Sequence, residues 1–175
     1  EISEPKPIAA SVGTTVEVRR LFYNTPARRK FLKSDGAETT RIRDVVQRLA
    51  ASHHRTAFTL ISGDRALLSY TPCSSTERLI DIFGGELSGE LLELTGEAEG
   101  IRLWGLIGKP EVARPTSRYL RVHVNGRSIS DSSITHAIKE AYRGLIEPKR
   151  CPTAAIFIEM DPSLVDVNVH PQKSE

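Results

Sequence analysis

The sequence predicts an α+β fold in which a two-layer mixed sheet carries helices on one face. Several segments alternate apolar and polar residues with the period of two that strands require. Gly63-Asp64 and Asn125-Gly126 are turn signals that favour hairpins. Two longer segments instead carry apolar residues at helical spacing. The 39% hydrophobic and 26% charged content is that of an ordinary globular domain, so we expect seven or eight strands, two long helices and one short helix.

The N-terminal part predicts a strand that runs into a basic helix. Residues 1–12, with Pro5 and Pro7, are expected to be an irregular lead-in. From Gly13, Val16 and Val18 alternate with polar neighbours, which indicates a strand. Pro26 suits the first position of a helix that continues to Lys33, and Asn24 or Thr25 is placed to cap it.

A long helix is expected from Asp35, with Glu38 at the spacing of a capping box. Its apolar residues recur at the spacing of one helical face, and they are Ile42, Val45, Val46, Leu49 and Ala50. Arg41, Gln47 and Arg48 fall outside this face. We therefore expect these three to face solvent or a ligand.

The middle of the chain predicts a hairpin, a short helix and a second strand pair. The hairpin joins Thr56–Ile61 to Ala66–Tyr70. The helix is expected to be capped by Thr76 and stopped at Gly84-Gly85. The strands that follow are Leu91–Leu94 and Ile101–Ile107, in which Trp104 is expected to be partly buried.

The last third carries the clearest strand, Leu120 to Val124, followed by the Asn125-Gly126 turn. Arg127 comes directly after this turn and would be held out on a stiff support. A helix is expected from Ser130 to Ile146. Two more strands are expected, one over Ala154 to Met160 and one beginning at Val165.

The distribution of charge is uneven although the net charge is only +2. Nine basic residues and three acidic ones lie between Arg19 and Arg48, whereas seven acidic residues and Arg78 alone lie between Glu77 and Glu99. The first region favours polyanions. Two solvated faces would explain the same pattern.

The residues alone indicate no catalytic motif. The sequence has neither a G-x-x-x-x-G-K-[ST] loop nor a G-x-G-x-x-G loop, and no recognisable nucleophile with a base. Cys73 and Cys151 are isolated, so we interpret them as reduced thiols and expect no metal site. No segment has the length of a membrane span. Lys173 follows a rigid His170-Pro171-Gln172 lead, which suits either a surface lysine or a point charge for a terminal phosphate.

Three motifs in order resemble the MutL family of DNA mismatch repair proteins. They are GTTVEVRRLFYNTPARRKFLK at 13–33, VNGRSISD at 124–131 and VDVNVHPQK at 165–173. The resemblance implies the second, transducer-like domain of the ATPase region, with the ribosomal-protein-like fold and left-handed crossover shared with type II topoisomerases. Residues 1–12 would lead in from an upstream ATPase domain, 13–175 would be one domain, and the chain would be a piece of a larger protein.

The resemblance also implies a role in ATP sensing. Lys173 would reach the γ-phosphate of ATP held with Mg²⁺ mainly by the upstream domain. Gly13 and one of Thr14 or Thr15 would belong to the last ATP motif. This segment would bind no nucleotide alone and would contain no catalytic residue, while the parent protein would be an ATPase.

Finally, the resemblance implies a DNA-binding surface that does not read sequence. Arg127 would contact a phosphate, and the same track would be extended by Arg28, Arg29, Lys30 and Lys33, unless some of these pair with Asp35, Glu38 or a buried carbonyl. The implied partners are DNA, a MutL-type dimer partner, a MutS-type mismatch recognition protein and a downstream nuclease or helicase. The implied location is the bacterial cytoplasm near the nucleoid, or the nucleus in a eukaryote. The alternative is a nucleic-acid-binding module of ribosomal-protein-like fold without any ATP role.

Overall fold

The computed structural model describes residues 12–165. Its contacts separate a unit that ends at Glu38 from a unit that begins at Thr39. None of the helices within the described range is both long and apolar enough to cross a lipid bilayer.

The strand predicted from Gly13 is wrong. Residues 14–19 have no regular secondary structure, and Val16 and Val18 are 81% and 73% exposed. A strand exists only where a neighbour completes its hydrogen-bonded ladder. No other segment of the described range pairs with these residues.

The basic helix after this segment is shorter than predicted. Helix α1 spans Pro26–Arg29, a single turn with proline in its first turn. Thr25 occupies the N-cap position without a capping hydrogen bond from its side chain. Helix α2 spans Asp35–Ser52, and the Glu38 carboxylate accepts a hydrogen bond from the Lys33 backbone N–H at 2.8 Å.

Seven strands form two sheets within residues 12–165, which confirms the α+β class. The strands are β1 (Phe58–Ser62), β2 (Arg65–Tyr70), β3 (Leu91–Ala98), β4 (Ile101–Gly108), β5 (Leu120–Val124), β6 (Arg127–Ile129) and β7 (Ala154–Glu159). Strands β1 and β2 form a separate antiparallel hairpin. The mixed sheet has the order β3-β4-β7-β5-β6, in which β5 and β7 are parallel and the other pairs antiparallel. The chain passes from β5 to β7 through β6 and a helix, and the left hand of this crossover stays a prediction.

Helix α3 spans Ser75–Phe83 and is capped by Ser74, so the predicted cap at Thr76 is wrong. The Ser74 hydroxyl accepts from the Glu77 backbone N–H, and the Glu77 carboxylate accepts from the Ser74 backbone N–H. The Glu77 carboxylate accepts hydrogen bonds from both the backbone N–H and the hydroxyl of Ser74, and these lower the pKa of Glu77. The helix ends at Gly84 as expected, with a φ of 113° that suits glycine.

Helix α4 spans Ser132–Ala141, which is shorter than the predicted Ser130–Ile146. Its start is fixed by the Asp131 carboxylate, which accepts from the Ile134 backbone N–H at 2.8 Å. Its end precedes Tyr142, whose hydroxyl donates to the Gly108 carbonyl at 2.6 Å. Gly144 then takes a positive φ of 79°, which turns the chain away from the helix axis.

The face that α2 buries differs from the predicted one. Ala50 and Ala51 lie in the core and Val46 packs against it, whereas Ile42, Val45 and Leu49 are about half exposed. Gln47, which we expected to face solvent or a ligand, is instead buried. Burial is tolerated because both the nitrogen and the oxygen of its side-chain amide have hydrogen-bond partners. It donates to the Tyr70 hydroxyl and accepts from Arg121, both at 3.2 Å.

Arg78 is fully buried, with 0% of its surface exposed, where α2, the β1–β2 hairpin and α3 meet. Its guanidinium donates to four backbone carbonyls at 2.7–3.2 Å, those of Ala50, His54, Thr56 and Thr71. The Tyr70 ring lies 5.1 Å from the guanidinium carbon, at cation–π distance. One side chain therefore ties the end of α2 to both ends of the hairpin.

An aromatic stack crosses the centre of the mixed sheet. Trp104, Phe157 and His123 are direct partners in the register of β4, β7 and β5. Their rings stack nearly parallel, at centroid distances of 4.1 Å and 4.6 Å. Trp104 is partly buried, as predicted, and its indole N–H donates to Glu159.

His123 is a buried neutral imidazole in this stack. It is 0% exposed, and its Nε2 lies 3.2 Å from the Arg48 carbonyl oxygen. Burial lowers the pKa of His123 from 6.5 to about 4, although the hydrogen bond to Arg48 raises it in part.

We expect Arg78→Met to lower the free energy of unfolding by about 3 kcal/mol or more, because four buried carbonyls lose their donor while methionine supplies none. Urea denaturation measures this change. Arg65→Met is the matched control, since Arg65 is exposed on β2. Equal stabilities of the two variants would contradict the role of Arg78.

We expect His123 to make the protein less stable as the pH falls from 6.5 to about 4. The unfolded chain protonates His123 in this window and the folded chain does not, so the unfolded state binds more protons. The loss approaches about 3 kcal/mol at the lower end. His123→Phe should flatten the dependence of unfolding free energy on pH in this window, whereas the exposed His136→Phe should not. Parallel curves for wild type and His123→Phe would refute the assignment.

Candidate functional site

Arg127 stands at the tip of the β5–β6 hairpin, as the sequence predicts. The two turn residues, Asn125 and Gly126, have φ values of 47° and 79°, the positive values of a type I′ turn. Arg127 pairs with Val124 in the register of the hairpin and is exposed. No carboxylate within the described residues forms an ion pair with it. Its guanidinium is therefore free to meet an anion.

Asn125 fastens this tip to the chain that leaves β7. Its side-chain amide donates to the Met160 carbonyl and its amide oxygen accepts from the Met160 N–H, both at 3.0 Å. The Asn125 backbone N–H also donates to the Ile158 carbonyl at 2.9 Å. The sequence indicated the turn but not this attachment, because nothing local to Asn125 identifies its partner.

The predicted basic track lies in the unit that ends at Glu38. Arg28 and Arg29 belong to α1, Lys30 caps its end and Lys33 follows, and all four are exposed. Their side chains form no ion pair or hydrogen bond within residues 12–165. The segment before α1 is tightly turned, since Arg20 and Phe22 have φ values of 49° and 60°.

The predicted nucleotide residues are not brought together within the described range. Gly13, Thr14 and Thr15 are exposed in irregular chain. Lys173 lies outside the residues that the structure describes, as do the other residues of its motif after Val165. Their joint role in contacting ATP stays a prediction.

A cavity of about 670 Å³ opens between β5, β6 and the start of α4. Its basic side chains are Arg48, His136 and Lys139. Hydroxyl groups accompany them, those of Ser117, Ser130, Ser132 and Thr135. Asp131 also lines the cavity, but its carboxylate is engaged as the cap of α4. The cavity begins two residues beyond Arg127 on β6, so hairpin and cavity form one basic region.

Sequence reasoning missed a buried polar network on β5. Arg121 is only 6% exposed and its Nη2 lies 3.2 Å from Asp44 Oδ1, while Asp44 Oδ2 also accepts from Arg48 at 2.9 Å. Burial lowers the pKa of Arg121, and Arg48 adds to this effect by repulsion. The alternation of apolar and polar residues along β5 did not indicate that Arg121 is buried, because a charged residue between two apolar ones in a strand ordinarily faces solvent.

The described residues offer no metal centre. No group of three or more His, Cys, Asp or Glu side chains within residues 12–165 is arranged to hold an ion. Cys73 and Cys151 are both free thiols.

The C-terminal half of the chain matches a family model. Residues 79–175 fit the domain described as "DNA mismatch repair protein, C-terminal domain". This match covers more than half of the chain.

Curated relatives resemble the chain over nearly its whole length. The chain is 43% identical over 179 residues to the DNA mismatch repair protein MutL of Azorhizobium caulinodans, and 42% identical over 175 residues to that of Staphylococcus carnosus. These alignments cover 99% of this chain but 29% and 27% of the relatives. The chain therefore spans less than a third of the proteins that it matches.

Solved structures share the fold. The Aquifex aeolicus MutL ATPase domain complexed with ADP superposes with a TM-score of 0.61 at 28% identity, over 83% of this chain and 52% of that one. A structure titled "Crystal Structure of N terminal domain of a DNA repair protein" gives a TM-score of 0.70 at 22% identity, over 86% of this chain and 51% of the other, and supports the fold alone.

Proposed function

Because this chain belongs to the MutL family of DNA mismatch repair proteins, we propose that it relays ATP binding in a neighbouring ATPase domain to dimer closure and contributes a DNA surface. Lys173 is the residue that senses ATP, and Arg127 is the centre of the DNA surface. The segment itself supplies no hydrolytic residue. Hydrolysis belongs to the upstream domain, which holds ATP with Mg²⁺.

The observation that carries this proposal is the attachment of Asn125 to Met160. The hairpin tip with Arg127 is joined by two reciprocal hydrogen bonds to the chain that leaves β7. That chain continues through the turn at Pro162–Leu164 into the VDVNVHPQK motif that ends at Lys173. We propose that a displacement of one segment reaches the other through these hydrogen bonds between the Asn125 side chain and the Met160 main chain.

The DNA part of the proposal rests on exposed, unpaired cations. A guanidinium at a rigid tip can donate to a phosphate without contacting base edges, which gives affinity without sequence preference. The cavity beside β6 adds the exposed Lys139 to the same region, and Arg48 also lines it, although Arg48 is paired with Asp44. Arg28, Arg29, Lys30 and Lys33 provide a second set of unpaired cations on the N-terminal unit.

The ATP part rests on the motifs and on the family. A lysine on an extended lead suits a terminal phosphate, because its ammonium is a compact charge that needs no planar partner. Gly13 with Thr14 or Thr15 would complete the nucleotide site from the other end of the chain. The similar Aquifex aeolicus structure is titled as an ATPase domain complexed with ADP, which agrees with a nucleotide bound next to this fold.

The partners proposed for the parent protein are those of a mismatch repair clamp. They are a second MutL-type copy, DNA, a MutS-type mismatch recognition protein and a downstream nuclease or helicase. The curated relatives are bacterial, so we place the protein in the bacterial cytoplasm beside the nucleoid.

We expect Lys173→Ala, made in the intact ATPase region, to abolish dimerisation that depends on a non-hydrolysable ATP analogue and to reduce ATP turnover at least tenfold, since one charge-assisted contact to a phosphate is worth about 1.5–3 kcal/mol. Analytical ultracentrifugation and phosphate release measure the two effects. Lys149→Ala, at an exposed lysine, is the control. Unchanged closure and turnover in Lys173→Ala would refute the relay and leave a DNA-binding module.

We expect Arg127→Ala to change DNA affinity itself, and Asn125→Gly to change the effect of ATP binding on DNA affinity. Arg127→Ala should weaken DNA binding and reduce the slope of log affinity against log salt by about one. Glycine at 125 keeps the positive φ but loses both hydrogen bonds to Met160. Asn125→Gly should therefore bind DNA nearly normally, while the effect of the ATP analogue on DNA affinity disappears.

Fluorescence anisotropy with a labelled duplex, with and without the analogue, measures both quantities. Arg65→Ala is the control for loss of an exposed arginine. Coupling that survives intact in Asn125→Gly would contradict the proposed connection.

A further inference from the structure

A second cavity, of about 390 Å³, lies beside Arg121 and Gln47. Three arginines line it: Arg43 from α2, Arg118 from the turn before β5, and Arg121 from β5 itself. Its volume falls within the ordinary range of small-ligand sites. All of its lining residues belong to the unit that begins at Thr39.

The positive charge of this cavity is not balanced by its own surroundings. Only 6% of the surface of Arg121 is exposed, and its Nε and Nη1 have no hydrogen-bond partner. Its nearest carboxylate, Asp44, is shared with Arg48. A buried guanidinium that has two unsatisfied nitrogens and shares its only carboxylate lowers the stability of the folded state, unless another anion binds beside it.

The two outer arginines add to this imbalance. Arg43 and Arg118 are exposed, and neither forms an ion pair with a carboxylate among residues 12–165. Arg118 lies close enough to Arg121 to lower the pKa of Arg121 by repulsion, after the larger effect of burial. Asp81 is the one acidic residue that lines the cavity. Three guanidiniums therefore have two carboxylates near them, Asp81 in the wall and Asp44 against Arg121, and Asp44 is also shared with Arg48.

We propose that this cavity binds a phosphate group through Arg43 and Arg118, with Arg121 supplying charge from beneath. Guanidinium groups match the anionic acceptor oxygens of a phosphate, whether it is a singly charged diester or a free phosphate. Neutral polar groups complete the wall, since the Gln47 amide and the Tyr70 hydroxyl also line it. The phosphate is either part of a DNA backbone or a small free phosphate. The site is separate from Lys173 and Arg127 and does not depend on the relay proposed above.

The first experiment measures binding of inorganic phosphate by the 175-residue chain. The dissociation constant is determined from the phosphate dependence of the melting temperature, with chloride exchanged for phosphate at constant ionic strength. The double variant Arg43→Gln/Arg118→Gln removes both outer cations and keeps the buried Arg121. The control Arg55→Gln/Arg65→Gln removes two exposed arginines away from the cavity.

We expect phosphate to stabilise wild type and the control equally, and the double variant to bind it at least tenfold more weakly, because each lost charge-assisted hydrogen bond is worth about 1.5–3 kcal/mol. The proposal is overturned if phosphate leaves the melting temperature of wild type unchanged, or stabilises the double variant as much as wild type. Urea denaturation without phosphate verifies that the double variant is folded.

The second experiment identifies the source of the phosphate. Fluorescence anisotropy with a labelled single-stranded oligodeoxynucleotide is repeated with added phosphate and with the double variant. If the backbone of DNA occupies the cavity, added phosphate weakens oligonucleotide binding. In the double variant, the slope of log affinity against log salt concentration should then be smaller in magnitude by about two. If a small phosphate is the ligand, oligonucleotide binding is unchanged while phosphate binding is lost. Arg127→Ala should leave phosphate binding intact, so failure of the DNA surface proposed above is distinguishable.

Discussion

The hydrogen bonds of the Arg78 guanidinium are the interaction on which the arrangement of α2, α3 and the β1–β2 hairpin depends. Its four acceptors come from the end of α2, the loop that follows, and the residue after β2. Carbonyl oxygens at a helix end carry partial negative charge, so they can hold a buried cation without a carboxylate. Since arginine offers five donors in a fixed fork, one side chain can satisfy all of these oxygens together. The end of α2 is thereby fixed against the hairpin.

With α2 fixed, its register decides which polar groups β5 can bury. Gln47 meets Arg121, and the Arg48 carbonyl meets His123. The neutral imidazole then stacks on Phe157, which joins β5 to the centre of the sheet. Strand β5 leads without interruption into the Asn125-Gly126 turn. The tip that carries Arg127 is therefore supported by the packing of β5, the strand that enters the turn, as well as by the hydrogen bonds of Asn125.

Five of the arginines that the structure describes fall into two groups that differ in burial and in their partners. Arg78 and Arg121 are buried: Arg78 donates to four carbonyls but has no partner for its Nε, and Arg121 has no partner for its Nε and Nη1. Arg43, Arg118 and Arg127 are exposed and meet no carboxylate among the described residues. Exposed cations held on a rigid support are available to a polyanion at little cost in conformational entropy.

The sequence by itself determined what depends on neighbouring residues: the Asn125-Gly126 turn, the presence of strands β4 and β5, the Gly84 stop and the motifs that resemble the family. It misplaced the strand at Gly13, the buried face of α2 and the ends of α1 and α4. Only the tertiary structure decided that Arg78, Arg121 and His123 are buried, because their partners lie 28, 74 and 75 residues away along the chain. Local dihedral preferences can be inferred from composition, whereas the burial of a polar side chain depends on groups that folding brings to it.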